Sequence, residues 1–298
     1  MKLFRQLLLC SLCLTLTACA APSPSIPDGG EGSDWMGQLP DETNLCDLTI
    51  PGTHDSGAAR SDFIGKFGQC QNLSIVDQLS IGVRFFDIRL KLLDGSLDVY
   101  HGFIDQQLTF ETIRKACKDF LAEHPDEVIL LCIKEEDEDN ADFANAVESA
   151  IEEDGDLWYT DNSMPTLGEV RGKIILFRRF DDSDLGINCR NGWADNTDFT
   201  MENGVTVHVQ DYYNLESKEN IDTKWKKFTA HAEKSLETDA LYINFASGYT
   251  GLVNITAVSD KMNPKLTEYF GDKKGAYGIT LCDFITPELA AILIATNF

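Results

Sequence analysis

The run Val128-Ile129-Leu130-Leu131-Cys132-Ile133 is apolar at every position and stops at Lys134. A strand on a half-solvated sheet alternates apolar with polar residues, and a surface helix keeps a polar face. An unbroken run of this length therefore predicts a strand buried on both faces, as in a parallel sheet covered by helices. The rest of the chain follows the same rhythm. Strands are expected at Leu48 to Ile50, Val83 to Leu90, Leu97 to Tyr100, Lys173 to Phe177, Val205 to Val209, Leu241 to Phe245 and Tyr277 to Leu281. Helices are expected at Leu73 to Leu79, Leu108 to Glu123 (stopped by Pro125), Ala141 to Glu152 and Ser217 to Leu236. A last helix has Thr286 as N-cap and Pro287 at its first position. Seven or eight buried strands separated mostly by helices predict a single α/β barrel of the TIM type. It should be irregular, because only the tight turn Leu93-Asp94-Gly95-Ser96 joins the second strand to the third.

The N-terminus reads differently. Lys2 and Arg5 precede a leucine-rich stretch from Leu7 to Leu16, then Thr17-Ala18-Cys19. That apolar core is shorter than the ~20 residues of a membrane-spanning helix, which makes it an export signal. Small residues before Cys19 resemble the lipobox of bacterial lipoproteins, so residues 1–18 are expected to be removed and Cys19 lipidated. An ordinary secretory signal with an incidental cysteine is the alternative. Residues 19–34, rich in Pro, Ser and Gly, suit a tether, and the folded part should span 35–298.

Formal charge is −24, or −26 without Lys2 and Arg5. So acidic a chain is not expected to bind nucleic acid or dock electrostatically on anionic lipid, and the covalent lipid would supply membrane proximity instead. A monomer is expected. Cys46, Cys70, Cys117, Cys132, Cys189 and Cys282 match no zinc spacing. Cys132 and Cys282 read as buried thiols, and export would permit a Cys46 to Cys70 disulfide.

Polar residues gather at the C-terminal ends of the strands: His54, Arg89, His101, Lys134, Arg179, Asp211 and Asp283. In a barrel those ends converge on one mouth. Two imidazoles there can share the work of taking and giving a proton. Phe85, Asp87 and Arg89 lie on one strand face by the period-two rule, so Asp87 can hold the Arg89 fork against phosphate oxygens, although a purely structural ion pair has the same pattern. Either Arg178 or Arg179 could face the mouth. The acidic run after Lys134 (Glu135 to Asp139) and Asp182 to Gly186 read as solvated surface, since neither completes a calcium loop. His124 and His231 are expected to be exposed and inert, and His208 to lie on the opposite strand face from Asp211. Trp193 could either dip into a lipid interface or cap the barrel.

Several stretches together resemble the bacterial phosphatidylinositol-specific phospholipases C over nearly the whole expected domain. They are Leu48 to Gly57 (LTIPGTHDSG), Gly82 to Arg89 (GVRFFDIR), Tyr100-His101-Gly102, Gly172 to Arg179 (GKIILFRR), Val209 to Tyr213 (VQDYY), Tyr242 to Phe245 (YINF) and Gly278 to Phe284 (GITLCDF). The resemblance implies a distorted α/β barrel. It implies His54 as the base for the inositol 2-hydroxyl, oriented by Asp283, and His101 as the acid for the leaving diacylglycerol, partnered by Asp55. Arg89, supported by Asp87, would bind the phosphate. Lys134, Arg179 and Asp211 would bind inositol hydroxyls, and Tyr213 would stack on the ring. The products would be diacylglycerol and inositol 1,2-cyclic phosphate, followed by slow hydrolysis of the cyclic ester. The partner would be an inositol phospholipid, met through the anchor and a transient interfacial contact. Eukaryotic relatives use calcium, with an acidic ligand near the place Arg89 holds here; the arginine implies no metal and no cofactor. The competing readings are a metal-dependent glycerophosphodiester phosphodiesterase and a non-catalytic surface lipoprotein that binds inositol headgroups or glycans.

Overall fold

The computed structural model describes residues 32–136, 140–217, 220–249 and 254–298. The leader, Cys19 and most of the proposed tether lie outside these residues. In chain order the elements are β1 Thr49–Thr53, α1 Ile75–Ser80, β2 Phe85–Leu93, β3 Ser96–His101, β4 Ile104–Thr109, α2 Phe110–Glu123 and β5 Ile129–Glu135. There follow α3 Phe143–Glu152, β6 Trp158–Tyr159, α4 Leu167–Val170, β7 Ile174–Arg179, β8 Ile187–Asn188, β9 Asp198–Glu202 and β10 Thr206–Gln210. The chain ends with α5 Asn220–Ser235, β11 Leu241–Phe245, α6 Ile255–Phe270, β12 Gly278–Cys282 and α7 Pro287–Ala295.

The sheet runs β6-β7-β5-β2-β1-β12-β11-β10-β9, parallel from β6 to β10 with β9 antiparallel at the edge. It curls into the irregular α/β barrel that the strand count predicts. Among the described residues no strand pairing closes the seam between β8 and β9. Asn203 crosses it instead, its Nδ2 donating to the Asn188 carbonyl at 3.2 Å and the Asn191 carbonyl at 2.6 Å. The β2–β3 and β3–β4 pairs are antiparallel and stand off the main path, so β3 carries His101 to the mouth on a hairpin rather than on a barrel strand.

Two apolar layers explain the unbroken strands. Inside the barrel Ile50, Phe85, Leu130, Ile175, Val209, Ile243 and Ile279 pack together. Outside, Phe86, Ile88, Leu131, Ile133 and Leu176 pack against Ile113, Val147, Val258 and Leu289 of the helices. Helix α6, unforeseen from sequence, has Pro264 inside it and is started by the Asn254 side chain accepting from the Ala257 N–H. Strand β9 has only two inward positions, half-buried Phe199 and buried Met201, between exposed ones, too short a pattern to read beforehand. No helix among the described residues is long and apolar enough to cross a membrane.

A fully buried ion pair locks the N-terminal end of the barrel. Arg84 Nε donates to Glu127 Oε2 at 2.8 Å, and its remaining nitrogens donate to the carbonyls of Leu79, Val83 and Ser33. Glu127 Oε1 accepts from the Gly37 N–H at 2.8 Å. Burial pushes Glu127 up and Arg84 down, against the pull of each on the other. The pair's value is therefore positional: it satisfies carbonyls where α1, the N-terminal turn and β2 meet. Removing one partner leaves the other charge buried and alone. Arg84→Ala is expected to cost about 3–5 kcal/mol, measured as a fall in the urea midpoint. A loss below about 1 kcal/mol would show that the charge is not enclosed.

Candidate active site

Parallel register sets the floor of the mouth. Arg89 of β2 pairs with Lys134 of β5, which pairs with Arg179 of β7, so three cations stand at one level. Arg179 is the arginine that faces inward. Arg178 points outward, donating to the carbonyls of Leu185 at 3.0 Å and Phe180 at 2.9 Å.

Around these cations His54, Asp55, His101, Glu136 and Asp283 sit at or just past strand ends, while Asp87 lies within β2. Asp55, directly after His54, takes a left-handed conformation with φ 42°. Such a backbone is uncommon outside glycine and is often found at functional turns. The Ser56 N–H donates to the Asp87 carbonyl at 2.8 Å and tethers this turn to β2. Gly102, after His101, and Phe284, after Asp283, are also left-handed.

His54 Nδ1 lies 2.7 Å from Asp283 Oδ1, and its Nε2 lies 2.8 Å from Arg89 Nη2. A guanidinium can only donate, so Nε2 accepts and Nδ1 carries the proton given to Asp283. Burial disfavours the charged imidazole and Arg89 adds to that. The Asp283 carboxylate outweighs both together with Asp87, and the His54 pKa is raised. His101 Nδ1 lies 2.5 Å from Asp55 Oδ2. Arg89 completes the lattice, with Asp87 Oδ2 at 3.2 Å, Asp55 Oδ2 at 3.7 Å and Glu136 Oε1 at 3.9 Å. Burial works against the Asp87 charge, but Arg89 and Arg179 hold its carboxyl below the usual range.

These groups line an open cavity of about 930 Å³ together with Lys134, Arg179, Asp211, Tyr213 and Trp193. Asp87 and Asp55 are buried behind it. Trp193 caps the barrel wall. The Arg179 guanidinium lies 3.5 Å from its ring centroid, and its Nε1 donates to Asp211 Oδ2 at 3.3 Å. Tyr213 stacks on Tyr249 with ring centroids 5.9 Å apart and donates its hydroxyl to Asp195 Oδ1 at 2.6 Å.

Some expectations are corrected. The acidic run after Lys134 is not all solvated: Glu136 is buried, bonds Lys134 and accepts from the Gly102 N–H at 2.9 Å. Burial opposes its charge, yet Arg89 and Lys134 hold its pKa down to about 2. Its place just past the end of β5 was the available signal. Residues 137–139 of the run lie outside the described ones. His231 is buried, not exposed; its ring packs on Tyr242, and burial pushes its pKa down to about 3. His124 is half-buried and paired with Asp34 at 2.7 Å. Cys46 and Cys70 are not bridged, and all six described cysteines are buried and free. Cys46 precedes β1, whereas Cys70 sits beyond its far end, its sulfur 3.6 Å from His101 Nδ1. Sequence reasoning also missed Asp195 and Cys70, which stand on loops with no strand-end position to mark them. His208 lies outside the mouth, its Nδ1 2.8 Å from Thr200 Oγ1.

The fold and site define an α/β barrel whose mouth is built for acid–base chemistry on an anionic substrate. Residues 47–180 match the X domain of phosphatidylinositol-specific phospholipase C. The chain is 31% identical to a 1-phosphatidylinositol phosphodiesterase of Listeria monocytogenes, over 88% of this chain and 84% of that protein. It is 28% identical to one of Staphylococcus aureus, over 79% and 82%. The structure of a point mutant of the Staphylococcus aureus phosphatidylinositol-specific phospholipase C superposes with a TM-score of 0.80 at 26% identity, covering 90% of this chain and 97% of that one. The Listeria monocytogenes enzyme superposes at 0.76 with 27% identity, covering 90% and 100%. The protein belongs to the bacterial phosphatidylinositol-specific phospholipase C family.

A raised folded pKa means that His54 contributes stability fully present below its unfolded value of about 6.5 and lost as pH rises through the folded value. In an NMR titration the His54 ring should titrate above its unfolded value, and Asp283→Asn should move its midpoint down. An unmoved midpoint would show that Asp283 is not its partner.

Proposed function

We propose that the protein cleaves phosphatidylinositol, or a glycosyl-phosphatidylinositol, to diacylglycerol and inositol 1,2-cyclic phosphate, with no metal ion. One observation carries this reading: two imidazoles, each with Nδ1 tied to a buried carboxylate, share one cavity with a fixed guanidinium. His54 Nε2 takes the proton of the inositol 2-hydroxyl, whose oxygen attacks phosphorus. The bond from phosphorus to the glycerol oxygen breaks, and His101 gives that oxygen its proton. Arg89 leaves His54 Nε2 for the phosphate oxygens as the substrate enters, and neutralises the charge that develops there. Hydrolysis of the cyclic ester runs the same groups in reverse, His101 taking the proton of water and His54 returning one to the 2-oxygen. Lys134, Arg179 and Asp211 receive the ring hydroxyls, and Tyr213 with Trp193 forms the aromatic wall. A hard divalent cation would need several free carboxylate oxygens converging on it. At this mouth Arg89 stands among Asp55, Asp87 and Glu136, which disfavours a metal-dependent glycerophosphodiester mechanism.

The scissile phosphodiester lies at the membrane surface, so the mouth must meet the bilayer to receive the headgroup. Phe63, Ile64, Phe67 and Phe103 are exposed on loops beside the mouth, Phe103 by 86%, and Phe67 also lines the cavity. Such an apolar rim on an acidic protein supports a transient interfacial contact made without lipid charge. The leader and Cys19 support the rest of the proposal: residues 1–18 are a signal, 19–34 a lipidated tether, and 35–298 a monomeric barrel domain held at the outer face of a cell-envelope membrane.

His54→Ala should lower kcat on phosphatidylinositol about 10³-fold with unchanged circular dichroism. Arg89→Lys should lower it about 10²-fold, because an ammonium cannot make the forked contact. Near wild-type turnover in either folded variant would sink the corresponding role. Phe63→Ser and Phe103→Ser should each reduce partitioning onto neutral phosphatidylcholine vesicles about tenfold. Unchanged partitioning would place the membrane face elsewhere.

A further inference from the structure

The mechanism leaves Cys70 unused, yet its sulfur falls within 4.8 Å of ligand atoms in two groups: Asp55 and His101, and His54 and Asp283. It sits behind both imidazole–carboxylate pairs. Each pair also has one carboxylate oxygen, Asp55 Oδ1 and Asp283 Oδ2, that is buried without a hydrogen-bond partner.

We propose that Asp55, Cys70 and His101 form a binding site for a soft divalent cation of the zinc or cadmium type, and that its occupation shuts the enzyme down. Zinc bonds of about 2.3 Å to sulfur and about 2.0 Å to imidazole nitrogen at a tetrahedral angle separate the two ligand atoms by about 3.5 Å. Cys70 Sγ and His101 Nδ1 stand 3.6 Å apart. Asp55 Oδ2 is closer to that nitrogen, at 2.5 Å, because it now accepts its hydrogen. The cation replaces that hydrogen and engages one carboxylate oxygen. A thiolate, a carboxylate and a neutral imidazole are a donor set that suits soft rather than hard cations. Their two negative charges balance a dication in a buried place. Arg89 Nη1, 3.7 Å from Asp55 Oδ2, opposes the cation, and Asp87 and Glu136 on its other sides offset that opposition.

Binding to the acid form that the proposed role gives His101 releases two protons to solvent, one from the Cys70 thiol and one from His101 Nδ1. The imidazole is left neutral, ligated through Nδ1 with its hydrogen on Nε2, and is no longer the imidazolium acid. Asp55 is drawn from both His101 and Arg89. His101 lines the cavity, so the cation enters on that side, and Cys70 itself is buried.

The inhibitory consequence rests on the acid role proposed for His101, but binding does not, and the two are measured separately. The mature protein, from which the leader's Cys10 and Cys13 are absent, is titrated with cadmium while the ultraviolet thiolate-to-metal band is followed, and phosphatidylinositol cleavage is assayed in parallel. One band saturating near one equivalent is expected, with activity falling at least tenfold. Cys70→Ala should lack the band and keep its own cadmium-free activity in cadmium. His101→Ala, a surface-reaching change that tests the site even if the cysteine variant fails to fold, should weaken binding at least tenfold. No band in the wild type, a band that survives Cys70→Ala, or unaltered affinity in His101→Ala would overturn the site. Absence of turnover without cadmium would instead refute the proposed activity, and the band would still decide the cation site.

Discussion

Arg89 is the residue around which the mouth is arranged. Its guanidinium is largely enclosed, and an enclosed cation persists only where anions and acceptors surround it. Asp87, Asp55 and Glu136 do so, and the neutral edge of His54 accepts from it. The same contacts fix the tautomer of His54 and bring both histidine partners within reach of one charge. Under the proposed mechanism, a phosphate takes the place of the His54 acceptor at a guanidinium already held by three carboxylates, which is what a preorganised site requires.

The barrel supplies this arrangement through register. Because β2, β5 and β7 pair in parallel, Arg89, Lys134 and Arg179 stand level and on the interior face, while Phe85 and Phe177 seal the barrel beneath them. On the other side β1 and β12 pair from Thr49 with Gly278 to Thr53 with Cys282, so that His54 and Asp283 each follow the end of their strand. A one-residue slip would send every one of these side chains into the outer apolar layer.

Much of this could be read from the residues alone. Buried parallel strands announce themselves by continuous apolarity, and the polar residue that ends such a run points to the mouth. Lys134 and Asp283 were legible for that reason, and Arg89, which lies within β2, by sharing a strand face with Asp87. What escaped reading lacked that contrast. Helix α6 buries only a narrow set of positions, among them Val258, Met262 and Leu266, and carries a proline that argues against a helix. Glu136 resembled its acidic neighbours because charge in a run looks solvated until a facing cation is known. His231 looked exposed because lysines flank it, although its own ring turns under the helix onto Tyr242. The choice between Arg178 and Arg179 depended on which face of β7 points inward, and only neighbouring strands determine that.

Phosphorus NMR of phosphatidylinositol incubated with the purified protein in excess EDTA tests the metal-free two-histidine mechanism most directly. The phosphodiester signal is predicted to give way first to that of a five-membered cyclic inositol phosphate, at a rate EDTA does not change. A phosphomonoester as the first product, or a reaction that EDTA abolishes, would contradict it.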